Sequence, residues 1–253
     1  MVDKTWLPVL RRGLEALASA DPAYLPALAQ DDYLPTQNRL FAAFAMPLDC
    51  VRYVLVGEGP YPRAESATGV CFMDGAVGSL WSESGLSKQV NRATSLRNFM
   101  KMLLVADKQL QPAATSGTAL APIAARALVP DSGWIQSLPD LQDNLIAHGF
   151  LLLNAALVYR PHVAPVKDAK AWRPFLQVVL AALATKSPAP TLVLWGKIAE
   201  QLRALPETEN LPQVQAEHPY NLSFIDNQDM QRLFGAMHLL RKNRNAIATS
   251  KQT

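Results

Sequence analysis

Four short stretches concentrate the side chains able to do chemistry. They are Gly57-Glu58-Gly59-Pro60-Tyr61-Pro62, the asparagine closing Phe150-Leu151-Leu152-Leu153-Asn154, Leu194-Trp195-Gly196, and His218-Pro219-Tyr220-Asn221-Leu222-Ser223. An asparagine amide offers an acceptor and two donors to a planar ligand, and a histidine can donate to an oxygen that gathers charge. Each stretch also has a plainer reading: Gly-Glu-Gly-Pro as a tight turn, Asn154 as a tie for its own loop, His218 as a structural histidine ahead of a proline. Nucleotide-cofactor signatures fail on spacing. Gly57-Glu58-Gly59 lacks the third glycine and the helix start of a dinucleotide fingerprint, and no Gly-Lys-Ser/Thr follows a strand. Neither a His-Glu-x-x-His pattern nor a paired-cysteine site is present, so no metal and no cofactor are expected.

The elements that must position these residues follow from the apolar patterning. Val51 to Val56 reads as a buried strand, and Phe150 to Asn154, Thr191 to Trp195 and Gln213 to Glu217 read as strands of the same kind. Leu138 to His148, Ala169 to Thr185, Lys197 to Leu205 and Asn227 to Arg241 read as helices between and after them. This βα spacing predicts an α/β fold, a three-layer α/β/α arrangement with a central four-stranded parallel sheet. Ligands of such sheets gather at the carboxyl ends of the strands, where all four stretches fall. Residues 1–45 read as N-terminal helices, with Trp6, Leu10, Leu14 and Leu17 at helical spacing and a second apolar stripe over Asn38 to Phe44. Gln111 to Ala127, rich in Ala, Ser, Thr, Pro and Gly, reads as a loop or frayed insertion, and residues 243–253 as a mobile tail. With no repeat and no sharp shift in composition, residues 1–253 are expected to form a single domain.

A chain of 253 residues that is 49% hydrophobic and 18% charged is not disordered as a whole. Its 24 Lys+Arg against 21 Asp+Glu leave a net charge of only +3, so attraction to nucleic acid must come from where the charges sit. Lys88, Arg92, Arg97 and Lys101 lie among Ser87, Asn91, Thr94, Ser95 and Asn98. Arg160, His162, Lys167, Lys170 and Arg173 form a second basic stretch against the single acid Asp168. Either suits phosphate contacts, and either reads equally as a solvated helix face. The two cysteines, Cys50 and Cys71, are too few for a disulfide framework, which points to a reducing compartment. No apolar run approaches the roughly 18 residues that span a bilayer, and charges within residues 3–15 break any secretory segment. A cytoplasmic monomer with no membrane association is expected.

Taken in order, these motifs resemble the uracil-DNA glycosylases, specifically the branch with a Gly-Gln-Asp-Pro-Tyr motif after its first strand. The resemblance runs through Leu40-Phe41-Ala42-Ala43-Phe44, Gly57-x-x-Pro60-Tyr61, Gly69-Val70-Cys71-Phe72 and Leu151-Leu152-Leu153-Asn154. It continues through Arg160 to Trp172 and Phe175, Leu194-Trp195-Gly196, and His218-Pro219 with Leu222-Ser223, covering roughly four fifths of the chain. It implies that DNA containing uracil, single- or double-stranded, is the partner, and that a base leaves the stack to be read. On that footing Phe72 stacks on the flipped uracil and Tyr61 fills the space of thymine's methyl group. Asn154 accepts from the uracil ring N–H and donates to the adjacent carbonyl, a pattern that cytosine reverses. His218 donates to the uracil oxygen that gathers charge as the glycosidic bond breaks, and Leu222 is the wedge that enters the vacated space. Ser95, Arg97, Lys167 and Ser223 are the implied DNA contacts.

The departures from the family pattern fall mostly on its hydrolytic and backbone-contacting positions. Gly59 stands where the family has the aspartate that positions water, Glu58 replaces a glutamine, and Pro62 a histidine. Val166-Lys167 replace a Ser-His pair, and Tyr220-Asn221 replace Ser-Pro. Glu58 is the one neighbouring carboxylate available as a substitute. Two functions follow: a base-excision hydrolase of N-glycosyl bonds with reduced activity, or a protein that recognises uracil or a damaged base in DNA without cutting.

Overall fold

A computed structural model describes residues 1–243 of the chain; of the expected tail only Asn243 falls among them. In chain order the elements are α1 (Leu7–Ala20), α2 (Tyr24–Leu28), β1 (Tyr53–Gly57), the hairpin strands β2 (Trp81–Ser82) and β3 (Gly85–Leu86), and α3 (Lys88–Arg92). Next come α4 (Thr94–Ala106), α5 (Gly117–Ala127), α6 (Leu138–Ala147), β4 (Phe150–Asn154), α7 (Pro165–Ala184), β5 (Thr191–Trp195), α8 (Lys197–Arg203), β6 (Gln213–Ala216) and α9 (Gln228–Gly235). They group into two compact units. One comprises Met1–Ala76 with Gly149–Gln215, the other Val77–His148 with residues 216–243.

The first unit holds the α/β architecture, a four-stranded sheet in the order β4-β1-β5-β6 flanked by helices. β1 pairs in parallel with β4 on one side and β5 on the other. The chain therefore leaves β1 for one neighbour and later returns to the other, which makes β1 the point where the strand order reverses. Val54, Leu55 and Val56 of β1, Phe150 to Leu153 of β4 and Leu192 to Leu194 of β5 are all buried, as expected of strands covered on both faces. β6 is half-buried along its length, as an edge strand is. Within this unit α1 packs along α7, and Gly13 makes the approach possible: a Cβ there would lie 2.6 Å from the Phe175 ring. Trp6, Phe44, Trp172 and Phe175 form an aromatic cluster around that contact. The apolar stripe over Asn38 to Phe44 is not an α-helix. Gln37 and Asn38 adopt left-handed φ values of 62° and 58°, and only a 3-10 turn over Ala42–Ala45 follows.

The second unit is helical apart from its hairpin. α4 packs on α9 and on the 3-10 turn Leu222–Asp226. The segment expected to be a loop, Gln111 to Ala127, instead contains α5. Ser116 caps it by accepting from the Ala119 N–H, and Leu120, Ile123, Ala124 and Ala127 make one buried stripe against β3. The alanines that gave the segment a low-complexity appearance are good helix formers that fit close to the hairpin, and Gly85 lies under the Leu120 side chain. α6 starts with a full capping box between Ser137 and Asp140. The last helix is shorter than expected, ending at Gly235, because the segment beyond it is used otherwise: Asn144 donates to the carbonyls of Leu239 and Arg241. Among the described residues no helix is long and apolar enough to cross a membrane.

Candidate functional site

In the first unit, the carboxyl ends of β1 and β4 meet in register, with Gly57 opposite Asn154. The pairing persists one step further, as Ala155 N–H donates to Gly57 O and Ala156 N–H to Glu58 O. Gly57 has to be glycine. A Cβ there would lie 2.8 Å from Cys71 Cβ and 2.9 Å from Asn154 Oδ1. Asn154 itself is only 3% exposed, and its Oδ1 is buried with no hydrogen-bond partner. An orphan acceptor of this kind costs about 1–3 kcal/mol, so its presence at the ligand-binding edge of the sheet asks for a ligand N–H.

The segment after Gly69 supplies the aromatic wall. Gly69 has φ 86°, and a Cβ would fall 2.0 Å from the Arg39 carbonyl oxygen, which fixes the Gly69-Val70-Cys71-Phe72 run against the residues preceding the 3-10 turn. Cys71 N–H donates to Leu152 O of β4, its thiol donates to Leu55 O of β1, and burial pushes the thiol pKa up. Phe72 sits at φ 66° in a γ-turn closed by Met73 N–H donating to Cys71 O at 2.8 Å. A γ-turn with positive φ is strained, on the order of 1–3 kcal/mol for a non-glycine residue, and such strain concentrates at binding sites. The Phe72 ring meets Trp195, at the end of β5, edge to face with centroids 5.2 Å apart. Tyr61 donates its hydroxyl to Phe72 O at 3.4 Å, and burial together with the Asp74 carboxylate pushes its pKa up to about 12. The phenol is therefore neutral across the physiological range.

In the second unit, His218-Pro219-Tyr220-Asn221 is a turn closed by Asn221 N–H donating to His218 O at 2.9 Å. His218 Nδ1 accepts from Tyr220 N–H at 3.1 Å. A neutral imidazole with Nδ1 occupied as acceptor carries its proton on Nε2, which makes that nitrogen a donor. Leu222 follows, 67% exposed, and Ser223 is bound by the Glu217 carboxylate, which also accepts from Asn227 Nδ2.

The solved UNG of Nitratifractor salsuginis superposes on this chain with a TM-score of 0.87 at 40% identity, covering 96% of this chain and 94% of that one. This chain belongs to the uracil-DNA glycosylase family. A uracil-DNA glycosylase of Thermobifida fusca is 30% identical over 192 residues, covering 76% of this chain and 67% of the relative. A uracil-DNA glycosylase of Nocardioides is 29% identical over 212 residues, covering 84% of this chain and 74% of the relative. No family model matches the sequence.

Of the residues expected to serve a uracil-DNA glycosylase, Tyr61, Phe72 and Asn154 are brought together in the first unit with Gly57 and Trp195. Glu58 and Gly59 follow β1 and are exposed, and Lys167 is exposed in the first turn of α7. Ser95, Arg97, His218, Leu222 and Ser223 belong to the second unit. Ser95 and Arg97 are half-buried on α4.

Three residues of the two basic stretches are not available to phosphate as expected. Arg160 is engaged by Asp168 at 2.7 Å and Asp31 at 3.0 Å, and His162 lies 3.1 Å from Asp31. Asn98 is buried at 0% exposure: its Nδ2 donates to Pro219 O at 2.8 Å, with Tyr220 O and Asn221 O at 3.2 and 3.4 Å. Sequence reasoning missed this anchor because its partners lie more than 120 residues away, and an asparagine among basic residues reads as a surface group.

Proposed function

We propose that this chain excises uracil from DNA, hydrolysing the N-glycosidic bond of a flipped-out deoxyuridine and leaving an abasic site. The observation that carries the reading is the buried, unpartnered Oδ1 of Asn154, flanked by Gly57 and Cys71 at the carboxyl edge of the sheet. Uracil presents a ring N–H to that oxygen where cytosine presents a lone pair, so cytosine leaves both groups unpaired. Phe72 supplies the stacking face, worth about 1–3 kcal/mol per base, and Tyr61 excludes the methyl group of thymine. As the bond breaks, negative charge spreads onto the uracil carbonyl oxygen, and the family resemblance gives His218 the role of donor to that oxygen. Leu222 fills the space the base leaves.

On this reading Gly59 stands where relatives carry the water-positioning aspartate, and hydrolysis is slower by about 10²–10⁴-fold as a result. Nothing steric keeps a side chain out of that position. A Cβ at Gly59 would find its nearest neighbours, Ala156 O and Ala156 Cβ, at 3.6 and 3.8 Å. Gly59→Asp is therefore expected to raise excision by about 10²–10⁴-fold. The exposed Gly59 also favours a second reading, a protein that binds uracil in DNA without cutting.

Single-turnover excision from a labelled uracil oligonucleotide, with binding of the same strand and a thymine control, separates the two. Excision that disappears in Asn154→Ala and His218→Ala supports the hydrolase. Uracil-selective binding with no abasic product supports the reader, and neither binding nor excision removes both.

A further inference from the structure

The Asn98 amide bonds to a peptide group that also bonds to the His218 ring. Its Nδ2 donates to the carbonyl of Pro219 at 2.8 Å, and the N–H on the other side of that same peptide, Tyr220 N–H, donates to His218 Nδ1 at 3.1 Å. Because a peptide unit is planar, orienting its carbonyl orients its N–H. Both bonds also polarise the group in the same sense, each strengthening the other. The far end of the amide is fixed as well. Asn98 Oδ1 accepts from Arg97 Nε at 3.3 Å, and the same guanidinium donates to Asn91 O. A guanidinium can only donate, so Oδ1 must face it and Nδ2 must face the turn.

We propose that Asn98 is a positioning residue that sets the tautomer of His218 through the Pro219–Tyr220 peptide, with Arg97 fixing the direction of the amide. The consequence for excision rests on the glycosylase reading above; the consequence for the imidazole does not. Asn98→Asp keeps the size of the side chain but replaces the donor by a carboxylate that repels the Pro219 carbonyl. Asn98→Ser removes the reach without adding a charge, and serves if the aspartate variant fails to fold.

The test is long-range 1H–15N correlation of the histidine rings, with His218 assigned through His218→Gln, alongside thermal melting, DNA affinity and single-turnover excision. The intact protein is expected to show an unprotonated Nδ1 and a protonated Nε2 at His218. A folded Asn98 variant is expected to show mixed tautomers, with excision reduced about 10- to 100-fold and DNA affinity changed less than about threefold. An unchanged His218 signature in a folded Asn98→Ser overturns the proposal, as does a loss of rate and affinity in equal proportion. An intact protein that excises nothing, with the tautomer still shifting in the variants, refutes the glycosylase reading and leaves the proposal standing.

Discussion

A buried polar atom left without a partner is a cost to the fold, and Asn154 carries one. Its unpartnered Oδ1 destabilises the empty protein, while Gly57 is kept free of a side chain that would collide with it. Asn154→Ala is therefore expected to leave the thermal midpoint unchanged or slightly higher while excision falls at least about 10²-fold, a split that melting curves and single-turnover rates read directly. A melting point lowered in step with activity would instead make Asn154 a structural tie. The positions of Asn154 and His218, at the end of one strand and just after another, were legible in the sequence from its strand patterning. The γ-turn at Phe72 was not legible, since φ 66° is imposed by Cys71 and Met73 bonding across it and no residue type announces it. Nor was the work of Asn98, which depends on a turn far along the chain.

At the scale of elements, the connection from β4 into α7 is clamped to α2 by charge. Arg160 binds Asp168 in two hydrogen bonds and reaches Asp31, while Tyr24 donates to Asp168 at 2.6 Å and its ring lies under the guanidinium. Asp168 is buried, so removing its carboxylate leaves Arg160 and the Tyr24 hydroxyl short of a partner. Asp168→Ala is expected to cost about 3–5 kcal/mol in urea unfolding, and a loss below about 1 kcal/mol would show that Asp31 suffices to hold Arg160. The same clamp explains why Arg160 and His162, which read in sequence as part of a phosphate-binding run, are engaged within the unit, whereas Lys167, Lys170 and Arg173 are exposed. Strands β1, β4 and β5 were legible because buried parallel strands are apolar along nearly their whole length. Helix α5 was not, because Ala, Gly, Thr and Pro carry little amphipathic signal, and its stripe shows only against the hairpin that covers it.

For the molecule as a whole, acid is the expected weakness. At Asp140, burial opposes ionisation but is outweighed by the Gln136 and Ser137 N–H groups and the Ser137 hydroxyl. At Glu217, burial is likewise outweighed, by Ser223, its own backbone N–H and Asn227, and at Asp31 by Arg160 and His162. All three sit below the ordinary carboxylate range. A folded-state pKa below the unfolded one contributes stability that is complete above the unfolded value and is lost as pH falls through the folded one. The thermal midpoint is expected to hold from neutrality down to about pH 5 and to fall steeply below about pH 4, and a midpoint flat through pH 3 would contradict this.

The two units are interleaved along the chain, each assembled from stretches that the other interrupts. β1, the strand between β4 and β5, ends at Gly57, whereas its first neighbour begins only at Phe150. At translation rates of about 5–20 residues per second, this apolar strand waits roughly 5–20 seconds on the ribosome with both edges bare. β5, on its other side, arrives later still. The hazard of aggregation for this chain therefore belongs to its birth, and a chaperone that shields Val54, Leu55 and Val56 during that interval would raise the yield of folded protein without touching its stability.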